Sequence, residues 1–289
     1  MEVTLFGNID KYTFDPDDQA SFIGRGGMSN VFKGYRVSDS QELAIKVLHR
    51  NMASSAFVQF LTVIASTVRI QHSNVMKMYE LIYQDGIYHV ICKYYRGSLL
   101  SDLIESGETK KMHKTTAWVI MSGMLDGLYA LHSNFPKIIH RDIKPSNILI
   151  TKDSLPVILD FGIAKVDVQR IDEYGSIVET NRPLGTPDFS SPEQLNGNVI
   201  DATSDLYAAA ITFHRLLSGS LKSSISSAIA SSENDKPLIR HPNIPESVYK
   251  ILKKATDLNP LNRFQDALSM KQALESEYIN FWSKIFKST

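Results

Sequence analysis

The chain has 289 residues, with 31 lysines and arginines balanced by 31 aspartates and glutamates, so it can bury a sizeable core and carries no global field to recruit nucleic acid or an anionic membrane. A single cysteine, Cys92, excludes an internal disulfide and a cysteine-based zinc site, and the eight histidines lack zinc-site spacing. No run reaches the roughly 18 apolar residues a membrane span needs, so the chain reads as cytoplasmic, or as the cytosolic part of a longer protein.

In chain order, the first third reads as strands. Phe22-Ile23 and Val31 to Tyr35 flank a glycine-rich turn, Glu42 to Leu48 follows a polar turn, and Met76 to Tyr83 and Tyr88 to Tyr94 surround Asp85-Gly86. These five predict an antiparallel sheet. One helix interrupts it over Ser55 to Ile70, where Phe57, Phe60, Leu61, Ile64 and Val68 recur at helical spacing. Beyond about residue 98 the period becomes 3.6: helices are predicted over Leu99 to Ser106, Lys114 to Ser133, Asp201 to Leu217, Pro245 to Asp257 and Phe264 to Ser276. A short hairpin, Ile148-Leu149-Ile150 with Val157-Ile158-Leu159, is placed between the second and third of these. No internal repeat is visible, and the serine-rich stretch Ser218 to Ser232 reads as a surface loop with a weak helix.

Three segments carry chemistry. Gly24-Arg25-Gly26-Gly27-Met28-Ser29-Asn30-Val31 fits G-x-G-x-x-G-x-V with Ser29 in place of the third glycine, and glycine lets backbone amides approach phosphate oxygens. Alone it is a weak signal, but Ala44-Ile45-Lys46 follows on the third strand. His140-Arg141-Asp142-Ile143-Lys144-Pro145-Ser146-Asn147 and Asp160-Phe161-Gly162 then read as H-R-D-x-K-P-x-N and D-F-G. With Gly185-Thr186-Pro187, Ser191-Pro192-Glu193, Asp205 and Arg263 in the same order, the chain resembles serine/threonine protein kinases, and most of all the bacterial relatives of the eukaryotic enzymes.

The resemblance implies an α+β, two-lobed protein kinase fold in a single domain over 1–289. Residues 12–96 would form the five-stranded lobe with its one helix, 97–276 the mainly helical lobe and 277–289 a tail. It implies ATP with Mg2+, or Mn2+ in its place. Ile23, Gly24, Gly26, Gly27, Ser29, Val31, Ala44, Lys46, Lys93, Tyr95 and Leu149 would hold the nucleotide, with the backbone of Lys93 and Tyr95 on the adenine edge. Asp142 would accept the hydroxyl proton, Lys144 would neutralise the migrating phosphoryl, and Asn147 and Asp160 would hold the metal. Lys144 and Thr186 follow the serine/threonine pattern. Asp205 would anchor the catalytic loop, its plain alternative being a helix cap. Glu193 and Arg263 would pair. Phosphorylation at Ser176 or Thr180 would order the segment after Gly162, with Arg141 receiving the phosphate. Cys92 reads as a buried thiol rather than a redox switch.

One departure stands out. The family pairs its strand-three lysine with a helix glutamate, yet Val63 falls at that position and Met52 to Gln71 contains no acidic residue. Gln59, Thr62 or, with altered geometry, Glu80 remain as partners for Lys46. The implied function is therefore a protein kinase, probing protein substrates and phosphorylating itself, with a nucleotide-binding pseudokinase scaffold as the alternative and a small-molecule phosphotransferase third. The helix over Ser55 to Ile70 and the tail from Glu277 to Thr289 offer apolar surface for packing or self-association.

Overall fold

The computed structural model describes residues 2–26, 29–49, 64, 67–160, 170–171, 177–178, 188–221, 238 and 240–286. The chain forms two compact units. One comprises Met1–His72, Met76–Arg96 and Val166–Thr180, the other Ser73–Val75, Gly97–Lys165 and Asn181–Thr289.

The sheet of the first unit is built from β1 (Val3–Phe6), β2 (Lys11–Phe14), β3 (Phe22–Arg25), β4 (Ser29–Arg36), β5 (Glu42–Leu48), β6 (Met78–Gln84) and β7 (Ile87–Lys93). Its order is β1-β2-β4-β5-β7-β6, with β3 also paired to β4, every pair antiparallel. Side chains alternate faces along a strand, so Phe32, Leu43, Ile45, Ile82 and Ile91 join Leu5, Tyr12 and Phe14 in one buried cluster. Asp85 and Gly86, at φ 52° and 75°, make the tight β6–β7 turn, where positive φ at both positions matches the strands' twist.

Among the described residues this sheet holds seven strands rather than the five expected, which corrects the sequence reading. The additional pair is the β1–β2 hairpin, held by side chains about seventy residues later in the chain. Glu80, buried on β6, accepts from the backbone N–H of Asn8 and Ile9 and from the Tyr12 hydroxyl at 2.9 Å. Gln84 supplies what a further strand would supply: its Nε2 donates to Thr4 O at 2.9 Å and its Oε1 accepts from Phe6 N at 3.0 Å. Burial first, and then the Glu80 carboxylate, push the Tyr12 phenol well above its ordinary pKa and keep it a donor. Of the helix expected over Ser55 to Ile70, Ile64, Thr67 and Val68 are helical, with Ile64 and Thr67 buried; most of it lies outside the described residues.

The second unit contains β8 (Gly97–Leu99), α1 (Leu100–Glu105), α2 (Glu108–Lys111), α3 (Lys114–His132), the hairpin β9 (Ile148–Thr151) and β10 (Pro156–Ile158), α4 (Pro192–Leu195), α5 (Ala202–Ser218), α6 (Glu246–Ala255) and α7 (Ala267–Phe286). A short antiparallel pair, β11 (Arg170–Ile171) with β12 (Ile177–Val178), belongs to the first unit. Helix α5 is buried almost all round, as its apolar sequence requires, and is capped by Asp201, whose side chain accepts from Thr203 N at 2.8 Å. The turn at Ser73–Val75 docks on β10: Asn74 Nδ2 donates to Pro156 O at 2.8 Å and Asn74 O accepts from Ile158 N at 2.9 Å. Helix α3 meets it through Gly123 and Gly127, where a Cβ would come within 2.7 Å of Asn74 Nδ2 and 2.8 Å of Asn74 O. Helix α7 runs on to Phe286 instead of ending at Ser276, and Tyr278 stacks on Trp118 with centroids 5.0 Å apart. Among the described residues no helix is long and apolar enough to cross a membrane.

Removing the Glu80 carboxylate should free the hairpin. Glu80→Ala is expected to cost about 2–4 kcal/mol, because it strands buried donors, and to speed hydrogen exchange at Asn8 and Ile9. Unchanged exchange there would contradict the assigned role.

Candidate active site

In the first unit, the register fixes which residues share the face opposite the core. Val31 pairs with Lys46, Lys46 with Val90 and Ala44 with Cys92, so these five line one surface while Ile45 and Leu43 point into the core. Ile23 sits at a register shift between β3 and β4 and is exposed. At Gly24 an added Cβ would meet nothing within 4 Å, and at Gly26 only Ser29 at 3.6 Å or more. Among the described residues, neither glycine is required by packing. The contrast is Gly34, where a Cβ would come within 2.6 Å of Thr13 O. Gly26 N donates to Ser29 O at 2.8 Å and closes the turn.

Burial pushes the Lys46 ammonium below its ordinary pKa, with Cys92 acting weakly in the other direction. A phosphate oxyanion at such a lysine would restore the charged form. Burial also raises the Cys92 thiol to about 11, which leaves it inert at neutral pH. Lys93 N donates to Lys77 O at 2.9 Å, so a ligand could meet only its carbonyl. The Tyr95 hydroxyl accepts from Lys77 N at 3.1 Å. Glu80 does not serve as a partner for Lys46: it shares the core face with Ile82 and is engaged by the hairpin, whereas Lys46 points to the other face. Gly27, Gln59, Thr62 and Val63 lie outside the described residues.

In the second unit, the catalytic loop hangs from one buried carboxylate. Asp205 Oδ2 accepts from His140 N at 2.7 Å and lies 2.8 Å from His132 Nε2, and its Oδ1 accepts from Arg141 N at 2.8 Å. Burial alone would raise the Asp205 carboxyl, but the bonds and charges of His132 and His140 outweigh it and hold its pKa below 3.8. The helix cap is Asp201, not Asp205. Arg141 takes φ 66°, a left-handed conformation costly for a side-chain-bearing residue, and Gln194 Nε2 donates to its carbonyl at 2.9 Å. That Gln194 bond, and the His132 contact, were not visible in the sequence, because neither polar residue falls at a diagnostic spacing.

Asp142 is thereby presented in a fixed setting. Its Oδ2 lies 3.0 Å from Lys144 Nζ and accepts from Asn147 Nδ2 at 3.0 Å, while its backbone carbonyl accepts from the same amide at 2.7 Å. Asn147 O accepts from Leu159 N at 2.8 Å, and His140 Nε2 donates to Leu159 O at 2.8 Å, tying the residue before Asp160 to the loop from both sides. Asp160 takes φ 40°. Leu149 is half-buried between buried Ile148 and Ile150 on β9. The Asn147 amide nitrogen is committed to Asp142, which leaves its oxygen to take a cation. Among the described residues no three His, Cys, Asp or Glu side chains cluster as a metal site. A metal would rest on Asn147 and Asp160 with phosphates and water completing its shell, which suits Mg2+.

The model of the protein kinase domain matches residues 18–279. The chain belongs to the protein kinase family. This kinase domain is 31% identical over 264 residues to the serine/threonine-protein kinase PrkC of Bacillus subtilis (strain 168), covering 89% of this chain and 39% of PrkC. It is 28% identical over 272 residues to the serine/threonine-protein kinase PknB of Mycobacterium leprae, covering 90% of this chain and 42% of PknB. The chain thus spans about two fifths of the length of these curated relatives. The crystal structure of the M. tuberculosis PknI kinase domain shares its fold with a TM-score of 0.69, at 19% identity over 96% of this chain and 97% of that one.

The buried ion pair beneath the loop is bidentate: Arg263 Nη1 and Nη2 meet Glu193 Oε1 and Oε2 at 2.6 and 2.8 Å, and Ser204 adds a bond to Oε1 at 2.6 Å. Burial would raise Glu193, but the Arg263 and Ser204 bonds win and hold its pKa below 4.5. Ser176, Thr180 and Thr186, with Phe161, Gly162, Gly185 and Pro187, fall outside the described residues.

Both native carboxylates, Glu193 and Asp205, titrate below their ordinary values of 4.5 and 3.8, so the stability they confer is complete above those values and is lost as pH falls through the lower native ones. Thermal unfolding from pH 7 to 3 should show this acid limb, and Asp205→Asn should flatten it. An identical acid limb in parent and variant would contradict the assignment.

Proposed function

We propose that this kinase domain transfers the γ-phosphoryl group of ATP to serine and threonine hydroxyls of proteins, its own included. The observation that carries the reading is the setting of Asp142, whose carboxylate is bracketed by Lys144 and Asn147 on a loop hung from Asp205. Its likeness to PrkC and PknB supports the serine/threonine class.

Each residue then has a role that a loose phosphoryl-transfer state needs. Asp142 orients the acceptor hydroxyl and takes its proton. Lys144, bonded to Asp142, neutralises charge on the transferring group. Asn147 and Asp160 hold Mg2+, which offsets the negative charge of the phosphates. Lys46 grips the phosphates from β5, and Gly24 and Gly26 let the β3–β4 backbone close over them. The sequence from Met52 to Gln71 contains no acidic residue to align Lys46, so a modest rate is expected. Arg141 receives the phosphate of a modified Ser176 or Thr180.

Incubation with labelled ATP and Mg2+ tests this. Asp142→Ala and Asp160→Ala should each lower transfer at least about a hundredfold, while Asp142→Ala still binds nucleotide. Nucleotide binding by the parent without transfer to itself or to any protein substrate would overturn the enzyme reading in favour of a pseudokinase scaffold.

A further inference from the structure

Helices α3, α5, α6 and α7 of the second unit enclose a cavity of about 190 Å³. It is apolar at its base and polar at its rim. Met121 of α3 and Leu274 of α7 are buried and form its floor, and half-buried Leu217 of α5 and Val248 of α6 form two of its walls. The remaining wall is aromatic: Trp118 of α3 and Tyr278 of α7 line the cavity as a stacked pair, 5.0 Å apart and within 14° of parallel. This cavity is remote from the catalytic loop. Lys114, at its rim, begins α3, whereas His132, which meets Asp205, ends it, and the helical rise separates the two by about 27 Å.

The lining suits an aromatic ring. A cavity of about 150 Å³ lined by aliphatic and aromatic side chains stays dry and accepts benzene; this one is somewhat larger, which leaves room for a ring and a short arm leading outward. The flat Trp118–Tyr278 wall and the Met121 thioether both make favourable contacts with a ring edge or face. A ring also surrenders fewer rotatable bonds on binding than an aliphatic chain of equal volume.

The rim sets the charge of the arm. Helix α6 starts at Glu246 behind Pro245, which has no side-chain acceptor to offer as a cap, and Ser247, the second residue of α6, lines the cavity. The first N–H groups of a helix have no intrahelical partner and form its positive end. Exposed Lys114 adds a full positive charge at the same rim. Among the described lining residues Glu277 is the one acidic group, and Glu246 is engaged by Arg240 at 3.0 Å. An anionic group on the arm would therefore meet a lysine and a helix N-terminus together.

We propose that this cavity is a binding site for a small aromatic monocarboxylate. Its ring lies against Trp118, Tyr278 and Met121, and its carboxylate sits at the rim between Lys114 and the start of α6. The occupant touches four helices at once and so stabilises the second unit. Binding requires neither ATP nor phosphoryl transfer, so failure of this inference leaves the kinase reading intact.

Titration calorimetry and thermal unfolding of the full chain with 4-phenylbutyrate test it. Saturable one-site binding with a Kd of about 0.1 mM is expected, together with a rise in melting temperature. The amine of the same skeleton, 4-phenylbutylamine, and the aliphatic octanoate should each bind at least about tenfold more weakly. Lys114→Glu, at an exposed position, should weaken 4-phenylbutyrate about tenfold and narrow its advantage over the amine. Val248→Trp, which fills the cavity from a half-buried wall, should abolish binding. The parent alone can refute the proposal: no saturable binding of 4-phenylbutyrate up to about 10 mM overturns it. An amine that binds as tightly overturns the assigned charge, and octanoate binding as tightly overturns the assigned ring. Binding that both variants leave unchanged places the ligand elsewhere and overturns the site.

Discussion

A buried carboxylate, Asp205, is the constraint on which the catalytic half depends. Its two oxygens take the backbone N–H groups of His140 and Arg141 and the His132 ring, and it projects from a helix that is itself buried. Such a carboxylate would be expensive alone, and three donors offset its burial. The bonds do more than satisfy it. They hold Arg141 at φ 66°, which turns the chain so that Asp142, Lys144 and Asn147 come together in one hydrogen-bonded group. Leu159 is clamped to the same group through Asn147 and His140, and that positions Asp160.

The first unit works by a division of faces. One face of the sheet is core, and its opposite presents Val31, Ala44 and Lys46. The β1–β2 hairpin consolidates the core face with Glu80 and Gln84, and in doing so it removes Glu80 from consideration as a partner for Lys46. The unusual helix composition and the engaged Glu80 thus have separate causes: one is a missing residue, the other a residue used for structure.

The catalytic loop, the lysine strand and the long helices were legible because their signals are local. H-R-D-x-K-P-x-N fixes residue types at fixed offsets, and α3 and α5 follow a helical period that packing reinforces. The β1–β2 hairpin was not legible. Its strands are four residues each, only Leu5 of β1 is fully buried, and what stabilises them is Glu80 and Gln84 on a distant strand. Gln194 and His132 escaped for the same reason: their meaning lies in which backbone or ring they face, and no spacing records that. On the extended part of α7, Tyr278 stacks on Trp118, a residue far away in the chain.

Hydrogen exchange at two amides tests the role of Asp205 most directly. The N–H groups of His140 and Arg141, which sit in a loop yet donate to a buried carboxylate, should exchange as slowly as those of α5. In Asp205→Ala both should exchange rapidly and phosphoryl transfer should be lost together with them, while the Ile45 amide of β5 stays protected. Unchanged protection at His140 and Arg141 in that variant, or rapid exchange with full transfer, would contradict the account.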